Sequence, residues 1–259
     1  MNPADFPKGH VTLTKEEGIG TIEFYHPASN SLPGAVLKLL ADTIIEAGAD
    51  EEIRVMVLKS SGDRAFCAGA SFDELMSISN ETAGKEFFMG FARVINAMRK
   101  SPKFIIGRVQ GKTVGGGVGL ASSVDYCFAT KHASVKLSEL AIGIGPFVVG
   151  PAVQRKLNVS GMSQLAIDAS SWRTAHWAES HGLFAQVFDT AEEMDAHVGR
   201  LAEKLAKSNP EAMEALKQNF WNGTENWDTL LEERAAMSGK LVLSDFTRNA
   251  ISAFKSGDR

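Results

Sequence analysis

Two short β-rich stretches open the chain. Residues 11–14 and 19–24 are enriched in β-branched, aliphatic and aromatic side chains, which is typical of strands. The residues between them end in Gly18, and glycine suits a tight turn. The pattern therefore predicts a β-hairpin at the start of the fold.

A helical pattern follows the hairpin. From Pro33 onward, apolar residues recur three or four positions apart, at Val36, Leu39, Leu40, Ile44 and Ala47. This spacing places them on one face of a helix. Val55–Ser60 is then a short apolar run of the kind found in buried strands. Together these segments predict a strand, helix, strand unit.

The alternation of helices and strands continues along the chain. It predicts a helix over residues 87–99, a strand over 104–109, a short helix after Gly117, and strands over 126–129 and 134–137. Such alternation with short connections is typical of an α/β fold. We assign this α/β core to residues 1–190.

The composition changes after about Thr190. Amphipathic helical patterns cover Ala191–Ala206, Pro210–Phe220 and residues 229–241, and no further strand pattern follows. Residues 191–259 are therefore predicted to form a C-terminal helical region, packed on the core or on a neighbouring subunit.

Composition and charge exclude several functional classes. The 259 residues carry 27 Lys and Arg against 31 Asp and Glu, with no basic stripe that would suit nucleic acid. No apolar run reaches about 18 residues, the length that spans a membrane, and residues 1–8 resemble neither a signal nor a transit peptide. We therefore expect a cytoplasmic protein without nucleic-acid or membrane partners.

The cysteines and histidines suggest no metal site. Cys67 and Cys127 are too few for a disulfide framework. They and the six histidines also lack the spacing of metal ligands. Two buried thiols and no bound metal are the expectation.

Two glycine-containing turns are the strongest candidates for chemistry. In the first, Ala68, Gly69 and Ala70 are small enough for a ligand to approach the main chain, and the Ala70 N–H is the candidate donor. In the second, Gly115 to Gly117 precede a predicted helix, whose N-terminus offers free N–H groups and a positive partial charge. Both turns can therefore hold an anionic oxygen.

Neither turn fits a nucleotide-binding motif. Gly111-Lys112-Thr113 resembles the end of a phosphate-binding loop, but the first glycine of that motif is replaced by Ile106. A dinucleotide fingerprint starting at Gly115 would need glycine where Leu120 stands. On the glycines alone, a purely structural role remains an alternative.

Several separate motifs occur over nearly the whole chain. They are His-Pro-Ala-Ser-Asn at 26–30, Ala-Phe-Cys-Ala-Gly-Ala at 65–70, Val-Gln-Gly at 109–111 leading into Gly-Gly-Gly at 115–117, Leu-Ser-Glu-Leu-Ala-Ile-Gly at 137–143, and Trp-Arg-Thr-Ala at 172–175. In their residues and in their order, these motifs resemble the enoyl-CoA hydratase/isomerase, or crotonase, superfamily.

The resemblance implies both a fold and a ligand. The fold would be an α/β, crotonase-like spiral of ββα units with a C-terminal helical region, assembled as a homo-trimer or hexamer. The substrate would be an acyl-CoA, with coenzyme A as part of the substrate and no permanently bound cofactor. The N–H groups of Ala70 and Gly116 would form an oxyanion hole. Contacts to coenzyme A are expected at Ala68, Gly69, Ala70, Phe72, Gly115 and Gly116.

Some positions depart from the family pattern near the coenzyme A contacts. Ser71 stands where the family often has Asp, and Asp73 stands where it often has Lys or Arg. Phe254 and Lys255 are further possible contacts.

The acid/base positions carry the most information. The family's hydratases present two glutamates to the substrate, whereas this chain has Gly119 at the first position and Glu139 at the second. Hydration needs a held water molecule, but shifting a double bond needs one base. The family's single-glutamate isomerases carry a Pro-Phe pair shortly after that base. This chain has Pro146 and Phe147 shortly after Glu139. Apolar neighbours should raise the pKa of Glu139.

We therefore expect an enoyl-CoA isomerase with Glu139 as its single base. The alternatives are an enoyl-CoA hydratase, a CoA thioester hydrolase or decarboxylase, and a non-catalytic CoA-binding scaffold. Arg108 either faces the site or forms a structural ion pair. The bulky residues 147–149 suggest a short acyl chain.

Overall fold

The computed structural model describes the backbone of residues 8–256 and the side chains of residues 8–253. Residues 1–7 and the side chains of Phe254 and Lys255 lie outside that part. The strands are β1 His10–Glu16, β2 Ile19–Tyr25, β3 Ser31–Leu32, β4 Val55–Ser60, β5 Ala65–Cys67, β6 Gly69–Ala70, β7 Ile105–Val109, β8 Lys112–Val114, β9 Tyr126–Thr130, β10 Ser134–Lys136, β11 Arg173–Thr174 and β12 Gln186–Phe188.

The helices are α1 Gly34–Ala49, α2 Phe72–Ser77, α3 Glu81–Lys100, α4 Gly116–Ser123, α5 Gly150–Ile167, α6 Ala175–Ser180, α7 Ala191–Ala206, α8 Pro210–Phe220, α9 Trp227–Leu241 and α10 Asp245–Ser256. A short 3₁₀ helix covers Leu140–Ile142. Among the helices so described, none is both long and apolar enough to cross a membrane.

A six-stranded sheet forms the larger layer. Its order is β1-β2-β4-β7-β9-β12, with β1 and β2 antiparallel and the other neighbours parallel. The predicted hairpin is confirmed, but its strands are longer than predicted. Pairing continues to Glu16 opposite Ile19, and Glu17 and Gly18 close the turn with positive φ angles.

Two smaller sheets hold the glycine turns. One has the order β11-β10-β8-β5, and the other pairs β3 with β6 in parallel. β8 ends directly before Gly115, and β6 ends with Ala70. Pairing of β5 with β8, with Ala65 opposite Lys112, brings the two turns to the same region of the molecule.

The sequence pattern does not indicate six of these strands: β3, β5, β6, β8, β11 and β12. Each has two or three residues, which is too short to show an alternating pattern, and each pairs with a strand distant in sequence. The helix predicted over 87–99 begins instead at Glu81, because the Asn80 side chain accepts a hydrogen bond from the Ala83 N–H and starts the helix early.

The central strand β4 of the large sheet is buried on both faces. Met56 and Leu58 belong to the main core, whereas Val55 and Val57 pack with Met194, Val198 and Ala202 of α7. Because alternate residues of β4 face two apolar layers, the strand is a continuous apolar run. Helix α7, the first of the C-terminal helices, therefore covers the core.

The fold decides between the two roles that the sequence left open for Arg108, and it shows where the two cysteines lie. Arg108 Nε and Nη2 donate to both carboxylate oxygens of Asp195 on α7, at 2.7 and 3.0 Å. Arg108 thus forms an ion pair outside the glycine turns. Cys67 and Cys127 are buried thiols, as predicted, and burial raises the pKa of each to about 12.

Helices α3 and α9 cross at two glycines. A Cβ atom on Gly84 would lie 2.6 Å from the main-chain oxygen of Gly239, and one on Gly239 would lie 2.3 Å from the Lys85 nitrogen. The two backbones therefore touch, and no side chain fits between them. This crossing fixes α3, which carries Phe88 and Phe91 toward the cavity described below.

We expect Gly84→Ala to lower the free energy of unfolding by roughly 1 to 3 kcal/mol, because the added methyl group forces α3 and α9 apart. Gly199→Ala is the matched control, since a Cβ there meets no atom within 4 Å. In the interior of α7 it should stabilise by about 0.5 to 1 kcal/mol. Denaturant unfolding of both variants measures the difference, and equal effects would contradict the close crossing.

Candidate active site

One cavity of about 860 Å³ lies where the two glycine turns meet. Its walls come from both turns, from residues 138–149, and from α3 and α10. The seven residues singled out from the sequence all line it: Ala68, Gly69, Ala70, Phe72, Gly115, Gly116 and Glu139. The fold therefore brings together segments that are up to 71 positions apart in the chain.

The first turn is held by side-chain amides. Asn30 Nδ2 and Gln110 Nε2 both donate to the main-chain oxygen of Ala65, at 3.0 and 3.2 Å. Both amides are buried, so they fix the start of β5. The Ser31 hydroxyl donates to the Ala70 oxygen at 2.9 Å. Sequence reasoning gave these polar residues no role, although Asn30 and Gln110 lie within the motifs quoted above.

The first turn rests directly on the second. Gly69 has a φ of +90°, which favours glycine. A Cβ there would lie 3.0 Å from the Val114 oxygen and 3.7 Å from the Gly116 nitrogen. The absence of a side chain at Gly69 therefore allows the two main chains to come together.

The second turn exposes the start of helix α4. Gly115 has a φ of +53° and donates its N–H to the Lys136 oxygen at 2.9 Å. Gly116 is the first residue of α4, so its N–H has no acceptor within the helix. A Cβ on Gly116 would lie 2.1 Å from the ring of Phe91. Phe91 therefore packs on this main chain in place of a side chain.

Glu139 lies next to the second turn. A Cβ on Gly115 would lie 2.9 Å from Glu139 Oε1. Glu139 Oε2 is buried and has no hydrogen-bond partner among the described residues. Burial raises the pKa of the carboxyl to about 7, against a smaller lowering by its own main-chain N–H. The expected rise in pKa is thus present in this structure, and it places the group where it can take up and release protons near neutral pH.

The position of the missing second glutamate is filled by an apolar side chain. A Cβ on Gly119 would lie 2.4 Å from Cγ1 and 2.8 Å from Cβ of Val149. Val149 is buried and lines the cavity. The sequence shows the absence of a carboxylate at Gly119, but it does not show that valine occupies the space beside it.

Polar groups line other parts of the cavity. His26 and Asp73 lie on its wall. Burial lowers the pKa of His26, and the charge of Asp73 opposes this shift. Lys136 and Trp172 also line the cavity, with the Lys136 ammonium 5.5 Å from the centre of the Trp172 ring. Sequence reasoning missed Lys136, because nothing in a short strand such as β10 marks which lysine faces a cavity.

The described residues contain no cluster of metal ligands. Across residues 8–253, no cluster of three or more His, Cys, Asp or Glu side chains could hold a metal ion. The cavity wall presents the Glu139 carboxyl, the main chain of the two turns, and polar side chains such as His26, Asp73 and Lys136.

Comparison with known proteins gives whole-chain matches. The model of the enoyl-CoA hydratase/isomerase family matches residues 14–255. A short-chain-enoyl-CoA hydratase of Clostridium acetobutylicum is 27% identical over 95% of this chain and 94% of its own length. A carnitinyl-CoA dehydratase of Escherichia coli is 24% identical over 90% of this chain and 94% of its own.

Solved structures match over similar lengths. An enoyl-CoA hydratase from Bacillus halodurans has a TM-score of 0.86 at 18% identity, covering 94% of this chain and 99% of its own. An enoyl-CoA hydratase from Mycobacterium avium subsp. paratuberculosis has a TM-score of 0.83 at 24% identity, covering 95% and 96%. These likenesses confirm the crotonase-type α/β fold. The chain belongs to the enoyl-CoA hydratase/isomerase family of acyl-CoA enzymes.

Proposed function

We propose that this protein is an enoyl-CoA isomerase that moves a carbon–carbon double bond from the 3,4 to the 2,3 position of a CoA thioester. Glu139 takes a proton from C2 and returns it to C4. The intermediate is a dienolate, whose negative charge lies largely on the thioester oxygen. No water is added, and no second acid/base group is needed.

The Ala70 and Gly116 N–H groups are proposed to bind that oxygen. The Gly69 contact with the second turn supports this pairing, because it brings the main chains of both turns together. Gly116 also contributes the N-terminal end of α4, where negative charge is stabilised. One such donor lowers the barrier by about 3 to 4 kcal/mol, because it stabilises the enolate more than the ground-state carbonyl.

The Glu139 carboxyl suits a proton that leaves and returns. Its pKa of about 7 keeps it partly ionised near neutral pH, so it can act both as base and as acid. Glu139 lines the cavity, and its buried Oε2 makes no hydrogen bond within the described residues, so no such bond holds the carboxyl in one protonation state. The absence of a fixed partner supports direct proton transfer.

The contact between Gly119 and Val149 is the observation that carries the choice of isomerisation. Hydration in this family relies on a water molecule held between two carboxylates. Here a buried isopropyl group stands beside the glycine that replaces one of them. An apolar group offers that water no hydrogen bond, so a proton moves between two carbons more readily than water is added.

Hydration of a 2-enoyl-CoA is the second candidate. The relatives favour it, since they include a short-chain-enoyl-CoA hydratase and a carnitinyl-CoA dehydratase. The cavity wall also carries the hydroxyls of Ser138 and Ser170, which have the chemistry to hold a water molecule. Turnover of matched substrates separates the two reactions.

The remaining roles follow from the cavity. The main chain from Ala68 to Phe72 is proposed to contact coenzyme A. Residues 147–149 are proposed to limit the acyl group to a short chain, since all three line the cavity. Helix α10 reaches the same cavity through Ala250 and Ala253, which supports a covering role for the C-terminal helices. Assembly as a trimer or hexamer stays a prediction.

Turnover of a short 3-enoyl-CoA tests the proposed isomerisation. The protein should convert a short 3-enoyl-CoA to the 2-enoyl isomer, and Glu139→Gln should slow this by at least about 10²-fold, because the amide accepts no proton. Glu192→Gln, an exposed change on α7, is the control and should retain full activity. If only the 2-enoyl substrate reacts, and by gaining water, the hydratase proposal replaces this one.

The pH dependence of stability tests the state of Glu139. Its pKa is about 7 in the folded chain against an ordinary 4.5, so between these values the unfolded chain releases a proton that the folded chain keeps. Stability is therefore lost as the pH rises through 7. Relative to Glu139→Gln, the wild type should lose about 3 kcal/mol from pH 4 to pH 8. Denaturant unfolding at several pH values measures this, and parallel curves would rule it out.

The role of Val149 can be tested by restoring the carboxylate. Gly119→Glu alone should destabilise the fold by roughly 1 to 3 kcal/mol, because its Cβ overlaps Val149. Adding Val149→Gly removes the overlap and should recover part of that loss. The double variant should also gain hydration of 2-enoyl-CoA relative to Val149→Gly alone. If the stability changes of the two single variants simply add in the double variant, the two side chains do not compete for space.

A further inference from the structure

A second cavity of about 220 Å³ lies apart from the first. It is lined by Asp125, Arg155, Lys156 and Phe220, and none of these residues lines the larger cavity. Asp125 follows the end of α4, Arg155 and Lys156 lie on α5, and Phe220 ends α8. The motifs that resemble the family imply no function for this second cavity.

The Asp125 carboxylate already has its partners. Its Oδ2 accepts from the Ile105 N–H at 2.8 Å and from the Lys217 ammonium at 2.9 Å, and its Oδ1 accepts from Trp221 Nε1 at 3.0 Å. Lys217 is almost completely buried. The negative charge of Asp125 is therefore balanced by Lys217, which does not line the small cavity.

The two cations that do line the cavity have neutral partners. Lys156 donates to the main-chain oxygen of Asp125 at 3.0 Å. Arg155 donates to the main-chain oxygen of Phe220, and its guanidinium lies 3.9 Å from the centre of the Trp221 ring. These contacts use part of the donor capacity of an ammonium and a guanidinium. Neither contact brings a negative charge to Arg155 or Lys156.

The charge balance here is unfavourable without a further anion. Arg155, Lys156 and Lys217 surround the one carboxylate of Asp125. Burial lowers the pKa of Lys156 and of Arg155, with the nearby Asp125 opposing the shift. Cations removed from water are stable when they are paired and hydrogen-bonded. An anion in the small cavity would complete this pairing.

We propose that the cavity between α5 and α8 binds a small, doubly charged oxyanion such as inorganic phosphate. Arg155, with its planar guanidinium, and Lys156, with its ammonium, both line the cavity from adjacent positions of α5. Charge-assisted hydrogen bonds of this kind are the strong ones, and arginine binds oxyanions through two of them. The volume admits a tetrahedral anion but not a nucleotide.

Titration of the full-length protein with inorganic phosphate tests this proposal by calorimetry, with sodium chloride matched in ionic strength as the blank. Saturable binding is expected in the wild type, with a rise in Tm on the order of 5 °C at 100 times Kd. Lys156→Met and Arg155→Gln should each weaken binding at least tenfold. Lys204→Met, which removes an exposed charge on α7, is the control and should bind as the wild type does.

Coenzyme A separates this site from the substrate cavity. Phosphate affinity should be unchanged when coenzyme A is present at saturation, because the two cavities share no lining residue. Displacement of phosphate by coenzyme A would overturn the proposal. So would the absence of saturable binding in the wild type, as would equal binding by Arg155→Gln and the wild type. Arg155→Gln lies at a partly exposed position and keeps the test available should Lys156→Met fail to fold.

Discussion

The candidate active site depends on direct contact between two main chains. The turn at Gly69 rests on the turn that starts α4, and the distances leave no room for side chains between them. Asn30 and Gln110 hold the first turn through one shared carbonyl of Ala65. The N–H groups near Gly116 are therefore positioned by backbone packing and buried amides, which fixes them before any ligand arrives.

A second constraint is the burial of the Glu139 carboxyl. Its Oε2 is buried without a partner among the described residues, and the pKa of the carboxyl rises to about 7 in consequence. A carboxyl in water would be ionised almost completely at neutral pH and would be a weak base. Burial thus destabilises the charged form and makes the group a better proton carrier. Val149 extends the apolar surface to the place where a second carboxylate could stand.

A second buried polar network surrounds Asp125, away from Glu139. Asp125 joins β7, α8 and Trp221 through buried hydrogen bonds. Such buried pairs contribute little net stability but are costly to break. The cations on α5 exceed what Asp125 neutralises, so this region differs from Arg108 and Asp195, which balance each other across β7 and α7. The opposite charges therefore balance at Arg108 and Asp195, whereas positive charge exceeds negative charge around Asp125.

The sequence by itself determined the hairpin, the α/β alternation, the first three of the four C-terminal helices, α7 to α9, and the family. It also identified the seven residues that line the cavity, because small residues and a single glutamate, in motifs of fixed order, can be recognised without a structure. The tertiary structure alone decided what surrounds them. Phe91 against Gly116, Val149 against Gly119, and the strands of two or three residues depend on pairing and packing between distant segments. A local sequence pattern does not predict such contacts, because each contact depends on how two segments that are distant in the chain pack against each other.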